Sequence, residues 1–297
     1  MNEMTLNSSD VLNQPADVLI FGAGGQLGRD LMAVFSGGLR VTGVDIDVID
    51  IAEAEVVLQA VGKTGAKLVI NAAAYTNVEG AEDDREGAYL VNETGARNVA
   101  RACAAQNVPL VHYSTDFVFG GSSDTPYEPD DPVAPQGVYA ESKAAGDAVV
   151  VDECEKYFLI RTAWLYGIGG NNFVEKILAA AATRPELKVV TDESGSPTFT
   201  ADLAAATAAL VKTDAYGIYH CVNAGSCSRF EFATAILSGA GMTTRVDPCL
   251  AEAFPSKAPR PKYSVLSNAK LEAACGYRMP SWEDGLDRYL RQRKESE

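Results

Sequence analysis

Tyr139-Ala140-Glu141-Ser142-Lys143 sets a phenol and an ammonium one helical turn apart, so a helix would carry both on one face. A free tyrosine titrates near about 10 and is a poor proton partner at neutral pH, but a neighbouring positive charge lowers that value. Such a pair suits protonation of a carbonyl oxygen whose carbon is gaining a hydride. Lys143 can also hydrogen-bond the ribose beside a nicotinamide. Upstream, Ser114-Thr115-Asp116 closes a predicted strand, Leu110-Val-His-Tyr113, where the Thr115 hydroxyl can hold the same substrate oxygen. Tyr-x-x-x-Lys alone would be an ordinary surface pair. Its order and context make Thr115, Tyr139 and Lys143 the candidate catalytic residues.

Hydride chemistry needs a dinucleotide, and a place for one precedes these residues. Gly22-Ala-Gly-Gly25-Gln-Leu-Gly28 follows the apolar run Val18-Leu-Ile-Phe21 and opens a stretch in which Leu27, Leu31 and Phe35 recur at helical spacing. A glycine turn between strand and helix offers backbone amides and a helix dipole to a pyrophosphate, which assigns Gly22, Gly25, Gln26, Leu27 and Gly28 to the cofactor. Asp45 ends the second predicted strand, Val41-Thr-Gly-Val44, where a carboxylate can accept both ribose hydroxyls. No Arg or Lys follows it to neutralise a 2′-phosphate, which favours NADH, although NADPH and NADH both remain candidates. Asp47, Val48 and Ala72-Ala73-Ala74 lie where adenine and ribose must pass.

The positioning elements are short and apolar. Leu68-Val-Ile70 and Phe158-Leu-Ile160 are further buried strands, with helices predicted over about 52–61 and 81–106 and another carrying Tyr139. Strands alternating with helices predict an α/β fold with a Rossmann-like doubly wound parallel sheet. The proline-rich stretch Gly120–Gly137 reads as a functional loop. Past Gly167 the alternation weakens; Asn171-Asn-Phe173 opens a helix and Gly195-Ser-Pro-Thr198 is a turn. The expected organisation is a disordered leader over 1–15, a dinucleotide domain over 16–170, and a smaller, partly interwoven substrate lobe over 171–297 with some segments returning to the sheet.

A formal charge of −15 argues against nucleic acid and anionic membrane as partners. An anionic small ligand would need local basic side chains. No run of about 18 apolar residues predicts a membrane span. The six cysteines form no CxxC pair and the two histidines have no metal-ligand spacing, so free thiols in a reducing cytoplasm are expected.

Longer stretches carry a resemblance: Phe21–Gly28, Val69-Ile-Asn-Ala-Ala-Ala-Tyr-Thr-Asn-Val78, Val111-His-Tyr-Ser-Thr-Asp-Phe-Val-Phe119, Val138–Lys143, Arg161-Thr-Ala-Trp-Leu-Tyr-Gly167 and Arg260-Pro-x-x-Ser264. Together the chain resembles the extended short-chain dehydrogenase/reductases, and among them the dTDP-4-dehydrorhamnose reductases. The resemblance implies NAD(P)H-dependent reduction of the 4-keto group of dTDP-4-dehydro-L-rhamnose. It makes Thr115, Tyr139 and Lys143 a catalytic triad and assigns Thr115, Asp116, Trp164, Asn172 and Arg260 to the substrate, with Arg260 on its diphosphate. Some members bind magnesium at a dimer interface. Of the positions that align with those ligands, Asp30 keeps a carboxylate but Ala201 and Gln292 do not, so no metal is expected and a homodimer stays open. A nucleotide-sugar dehydratase is disfavoured because Phe117 follows Asp116 where that chemistry needs a second carboxylate. Another nucleotide-sugar reductase remains an alternative. So does a catalytically silent regulatory protein of the same fold, like the methionine adenosyltransferase regulatory subunit, although Thr115, Tyr139 and Lys143 are intact.

Overall fold

The computed structural model describes residues 14–296, so the expected leader lies outside the described residues except for Gln14 and Pro15. Six strands form the main sheet: β1 (Val18–Phe21), β2 (Val41–Val44), β3 (Leu68–Asn71), β4 (Leu110–Thr115), β5 (Tyr157–Thr162) and β6 (Gly217–His220), in the order β6-β5-β4-β3-β1-β2. The apolar runs are strands because helices cover them on both faces, leaving no polar side to alternate with. Helices α1 (Gln26–Phe35), α2 (Ala54–Thr64), α3 (Ala96–Gln106) and α4 (Val138–Glu153) alternate with them. β1 pairs in parallel with both β2 and β3, matching Phe21 with Val44 on one side and with Asn71 on the other. This register brings Gly22, Asp45 and Ala72 out side by side, at the point where the chain switches from one side of β1 to the other.

Contacts divide the chain into two interleaved units. One takes the described chain up to Ser114 together with Gly137–Ile160 and Thr213–Ile218; the other takes Thr115–Gln136, Arg161–Lys212 and Tyr219 onward. The first is aliphatic in its core, with Leu19, Phe21, Val57, Val69, Val99 and Leu159 buried together. The second is built on aromatic rings, with Tyr166, Phe199, Phe232, Trp282 and Tyr289 in one cluster. Its helices include α5 (Phe173–Ala181) and α6 (Arg229–Gly239), beside two-stranded pairs such as Glu186–Val190 with Arg245–Cys249. Gly195–Thr198 is a turn whose ends are themselves short strands, Ser194–Gly195 and Thr198–Phe199. Among the described residues no helix is long and apolar enough to cross a membrane.

The stretch expected as one helix over 81–106 is broken. Helices Val78–Ala81 and Arg85–Tyr89 lead into a π-helical turn, Leu90–Gly95, and then α3. Asp84 starts the second piece by accepting the Gly87 amide, a local competition that periodicity does not register. The π turn rotates Asn92 inward. Its side chain accepts the Tyr75 amide at 2.9 Å, donates to the Tyr75 carbonyl at 3.1 Å and donates to Ser142 Oγ at 3.0 Å. One buried amide thus ties the loop after β3 to the first turns of α4. Asn92→Ala strands these groups without partners, so we expect a loss of roughly 1–3 kcal/mol in denaturant unfolding; an unchanged midpoint would show the bonds contribute nothing.

Candidate active site

In the first unit, the glycine turn is shaped by close approach. Gly22 has φ +78°, and a Cβ on it would lie 2.6 Å from the Ala73 nitrogen; one on Gly28 would lie 2.1 Å from the Gly22 carbonyl oxygen. Only glycine lets α1 start this near to the turn. The helix begins with no side-chain cap and no acidic residue in its first turn, leaving the positive end of its dipole for an anion. Asp45 accepts the Gly24 amide at 2.9 Å through Oδ2 and the Ile46 amide at 2.8 Å through Oδ1. Its carboxylate therefore braces the turn that was read as its partner in cofactor binding. Asp47 is exposed, while Val48 leans on the core. Ala72 donates to the Phe21 carbonyl and Ala73 to Asn71 Oδ1, which holds the Ala72–Ala74 backbone beside the turn.

Helix α4 is fixed at its start by Glu82, which accepts the Val138 amide at 2.8 Å, and by the Arg85–Glu141 pair at 2.9 Å. Tyr139 is half-buried and, like Tyr75 and Tyr89, packs against the buried cluster of Ala81, Ala88 and Val138. Lys143, one turn on, is 3% exposed and donates from Nζ to the Tyr113 carbonyl at 2.6 Å. Burial pulls its pKa down to about 8, against the raising influence of Asp147. Behind it, His112 lies 3.3 Å from the Asn71 amide. Burial, and then the Lys143 charge, hold His112 far below the usual histidine range, so it is neutral. Sequence reading missed Asn71, Asn92 and His112; polar residues inside apolar or helical runs were the signal.

In the second unit, Thr115 donates to Asp116 Oδ1 at 3.0 Å and accepts the Phe117 amide at 3.2 Å. Asp116 is 2% exposed. Burial raises its pKa to about 6, opposed by the nearby Ser264 hydroxyl, the Thr115 hydrogen bond and the Arg229 charge. Trp164 is half-buried with φ +46°, an uncommon backbone for a bulky residue. A Cβ on Gly195 would meet its ring at 2.5 Å, so Gly195 is what leaves room for the indole. Asn172 is buried and caps α5, accepting the Glu175 amide at 3.2 Å and donating to the Gly167 carbonyl at 3.0 Å. These bonds make it part of the frame under the site assigned to it. Arg260 is exposed on the wall of a cavity of about 640 Å³ that also takes in Lys176, Lys188, Lys257, Lys262 and Arg229, above an apolar floor including Phe173 and Ile177. Clustered cations in an acidic protein create a local field for an anionic ligand. Among the described residues no group of three or more His, Cys, Asp or Glu could hold a metal ion.

The buried Asp116 has a pH consequence. An acid that binds its proton more tightly in the folded state stabilises fully below its unfolded value, about 3.8, and loses that contribution as pH rises through about 6. Asp116→Asn is therefore expected to gain roughly 1–3 kcal/mol of stability at pH 8 relative to its change at pH 4. Urea unfolding at the two pH values checks this, and an equal change at both would mean that Asp116 titrates normally.

The RmlD substrate binding domain family matches residues 16–295. The chain is 41% identical over 277 residues to the spore coat polysaccharide biosynthesis protein SpsK of Bacillus subtilis, covering 93% of this chain and 97% of that protein. It is equally 41% identical over 280 residues to the dTDP-4-dehydrorhamnose reductase of Mycobacterium tuberculosis H37Rv, covering 91% and 90%. The crystal structure of dTDP-4-dehydrorhamnose reductase from Bacillus anthracis in complex with NADP matches with a TM-score of 0.91 at 41% identity, over 94% of this chain and 100% of that one. With a Rossmann-like parallel sheet and a match running almost end to end, the chain belongs to the RmlD substrate binding domain family.

Proposed function

We propose that this chain is a dTDP-4-dehydrorhamnose reductase, reducing the 4-keto group of dTDP-4-dehydro-L-rhamnose to give dTDP-L-rhamnose with NADPH or NADH. The observation that carries the reading is the Tyr139–Lys143 turn of α4, with the lysine buried and held on the Tyr113 carbonyl. A lysine serving only solubility would not be buried at a strand end.

The first unit suits a dinucleotide, because its glycine turn admits no side chain at Gly22 or Gly28 and faces an uncompensated helix start. The backbone of Gly22, Gly25, Gln26, Leu27 and Gly28 would hold the pyrophosphate, Asp45 a ribose, and Asp47, Val48 and Ala72–Ala74 the adenosine surroundings. When bound, the nicotinamide supplies the hydride. Tyr139 gives its phenolic proton to the carbonyl oxygen as charge develops there, and Lys143 favours the phenolate that remains while bonding the nicotinamide ribose. Lys143 stays mostly protonated at neutral pH with its pKa at about 8. Thr115 turns its hydroxyl proton from Asp116 to the substrate oxygen. Trp164 offers its ring to the sugar, and Arg260 with its neighbouring lysines meets the diphosphate. The six cysteines are all free, which supports a place in the reducing cytoplasm.

The direct test is oxidation of NADPH or NADH on adding the dTDP-4-keto sugar, with a product two hydrogens heavier. A silent regulatory protein of this fold would oxidise neither. Tyr139→Phe should keep cofactor binding and lose about 10²–10⁴-fold in kcat; near-normal turnover would remove Tyr139 from the mechanism. Asp45→Ala should raise the NADPH-to-NADH ratio of kcat/KM, since a carboxylate repels a 2′-phosphate. A parallel fall with both cofactors would assign Asp45 to bracing the turn alone.

A further inference from the structure

Arg229 was not singled out by its sequence context, yet it has an unusual position. It is the first residue of α6, directly after Ser228, which accepts the Glu231 amide at 3.1 Å while the Glu231 carboxylate accepts the Ser228 amide at 2.7 Å. This capping box fixes the entry of the helix and so the direction in which Arg229 leaves it. The guanidinium carbon lies 3.5 Å from the centre of the Trp164 ring and 5.1 Å from that of Phe173. Its ion-pair partner, Glu193, stands 3.6 Å away, too far for a hydrogen bond, and the two side chains are only 13% and 11% exposed. Among the described residues the guanidinium makes no side-chain hydrogen bond.

A guanidinium stacked by its face keeps its N–H donors in plane, radiating away from the ring. Arg229 lines the cation-rich cavity. Its charge couples favourably to Asp116 and unfavourably to Arg260. It therefore belongs electrostatically both to the residues assigned to the sugar and to the one assigned to the diphosphate. Two like charges held near one cavity are relieved by an anion that meets both. The backbone of Trp164, with its positive φ, is held by the Thr198 amide donating to its carbonyl at 3.3 Å. Strain kept at such a place is typical of a functional site.

We propose that Arg229, carried on the Trp164 ring, donates to the sugar-side phosphate of a nucleoside-diphosphate sugar, leaving the nucleoside-side phosphate to Arg260. The assignment rests on reading the cavity as the dTDP-sugar site. Glu193 serves as the counter-ion that keeps the buried guanidinium charged and oriented without occupying its donors.

Calorimetric titration of the full chain with dTDP and with dTMP tests this, because dTMP has no second phosphate. Arg229→Met keeps a long apolar stem over Trp164 and removes the donors. We expect dTDP affinity to fall about tenfold to a hundredfold while dTMP affinity changes less than about twofold. Arg229→Lys should recover part of the loss, since a charge remains but the planar fork does not. Equal weakening of both nucleotides would make Arg229 a packing residue, and unchanged dTDP binding would remove it from the site; either result overturns the proposal. If the wild-type chain bound neither nucleotide and left NADPH unoxidised with the dTDP-4-keto sugar, the reading of the cavity itself would fail, and Arg229's role with it.

Discussion

The hydrogen bond from Lys143 Nζ to the Tyr113 carbonyl, at 2.6 Å, is the contact on which the placement of α4 depends. Burying an ammonium is costly, and the cost is tolerable only with a strong acceptor in place. The acceptor is a backbone carbonyl, fixed by the sheet and unable to titrate away. The same burial draws the lysine to about 8, close to working pH, while the cation keeps His112 neutral behind it. Helix α4 must therefore sit at one height along β4. Asn92 supports that height from another direction, joining Ser142 to the loop after β3. Gly146 permits it, since a Cβ there would lie 2.1 Å from the Asn92 carbonyl oxygen.

Much of this frame was legible in the sequence because its strands are uninterrupted apolar runs and its glycines stand where only glycine fits. Val18–Phe21, the glycine turn and the Tyr139–Lys143 spacing each follow from one local rule. What escaped was non-local. The helix expected over 81–106 breaks because Asp84 caps a new start and because a π turn serves Asn92, whose partners lie in Tyr75 and Ser142. β6 is four residues long and joins a sheet whose other five strands precede it by more than fifty residues of chain, so no local pattern could place Gly217–His220 there. Asn172, assigned to the substrate through its place in a motif, also caps a helix with its side chain, a second role that the motif alone does not show.

The electrostatics show how an acidic chain can receive an anion. A charge of −15 says nothing about any one cavity, because fields within a few ångströms outweigh a screened total. Around the cavity in the second unit, cations outnumber the single carboxylate of Glu193 among its lining residues. That carboxylate is spent on Arg229, the most enclosed of the cations.

Asp116 and Arg229 also illustrate why burial and charge must be argued together. Desolvation alone would neutralise Asp116, and it does raise the carboxyl to about 6; the nearby Ser264 hydroxyl, the hydrogen bond from Thr115 and the Arg229 charge hold it from going further. At neutral pH the carboxylate is therefore mostly ionised, and an ionised Asp116 draws the Thr115 proton toward itself. In the proposed reaction a substrate oxygen competes for that proton. The other Asp116 oxygen, Oδ2, is buried with no hydrogen-bond partner among the described residues, so the Thr115 hydroxyl is the donor this carboxylate holds, and turning it to another acceptor has a cost.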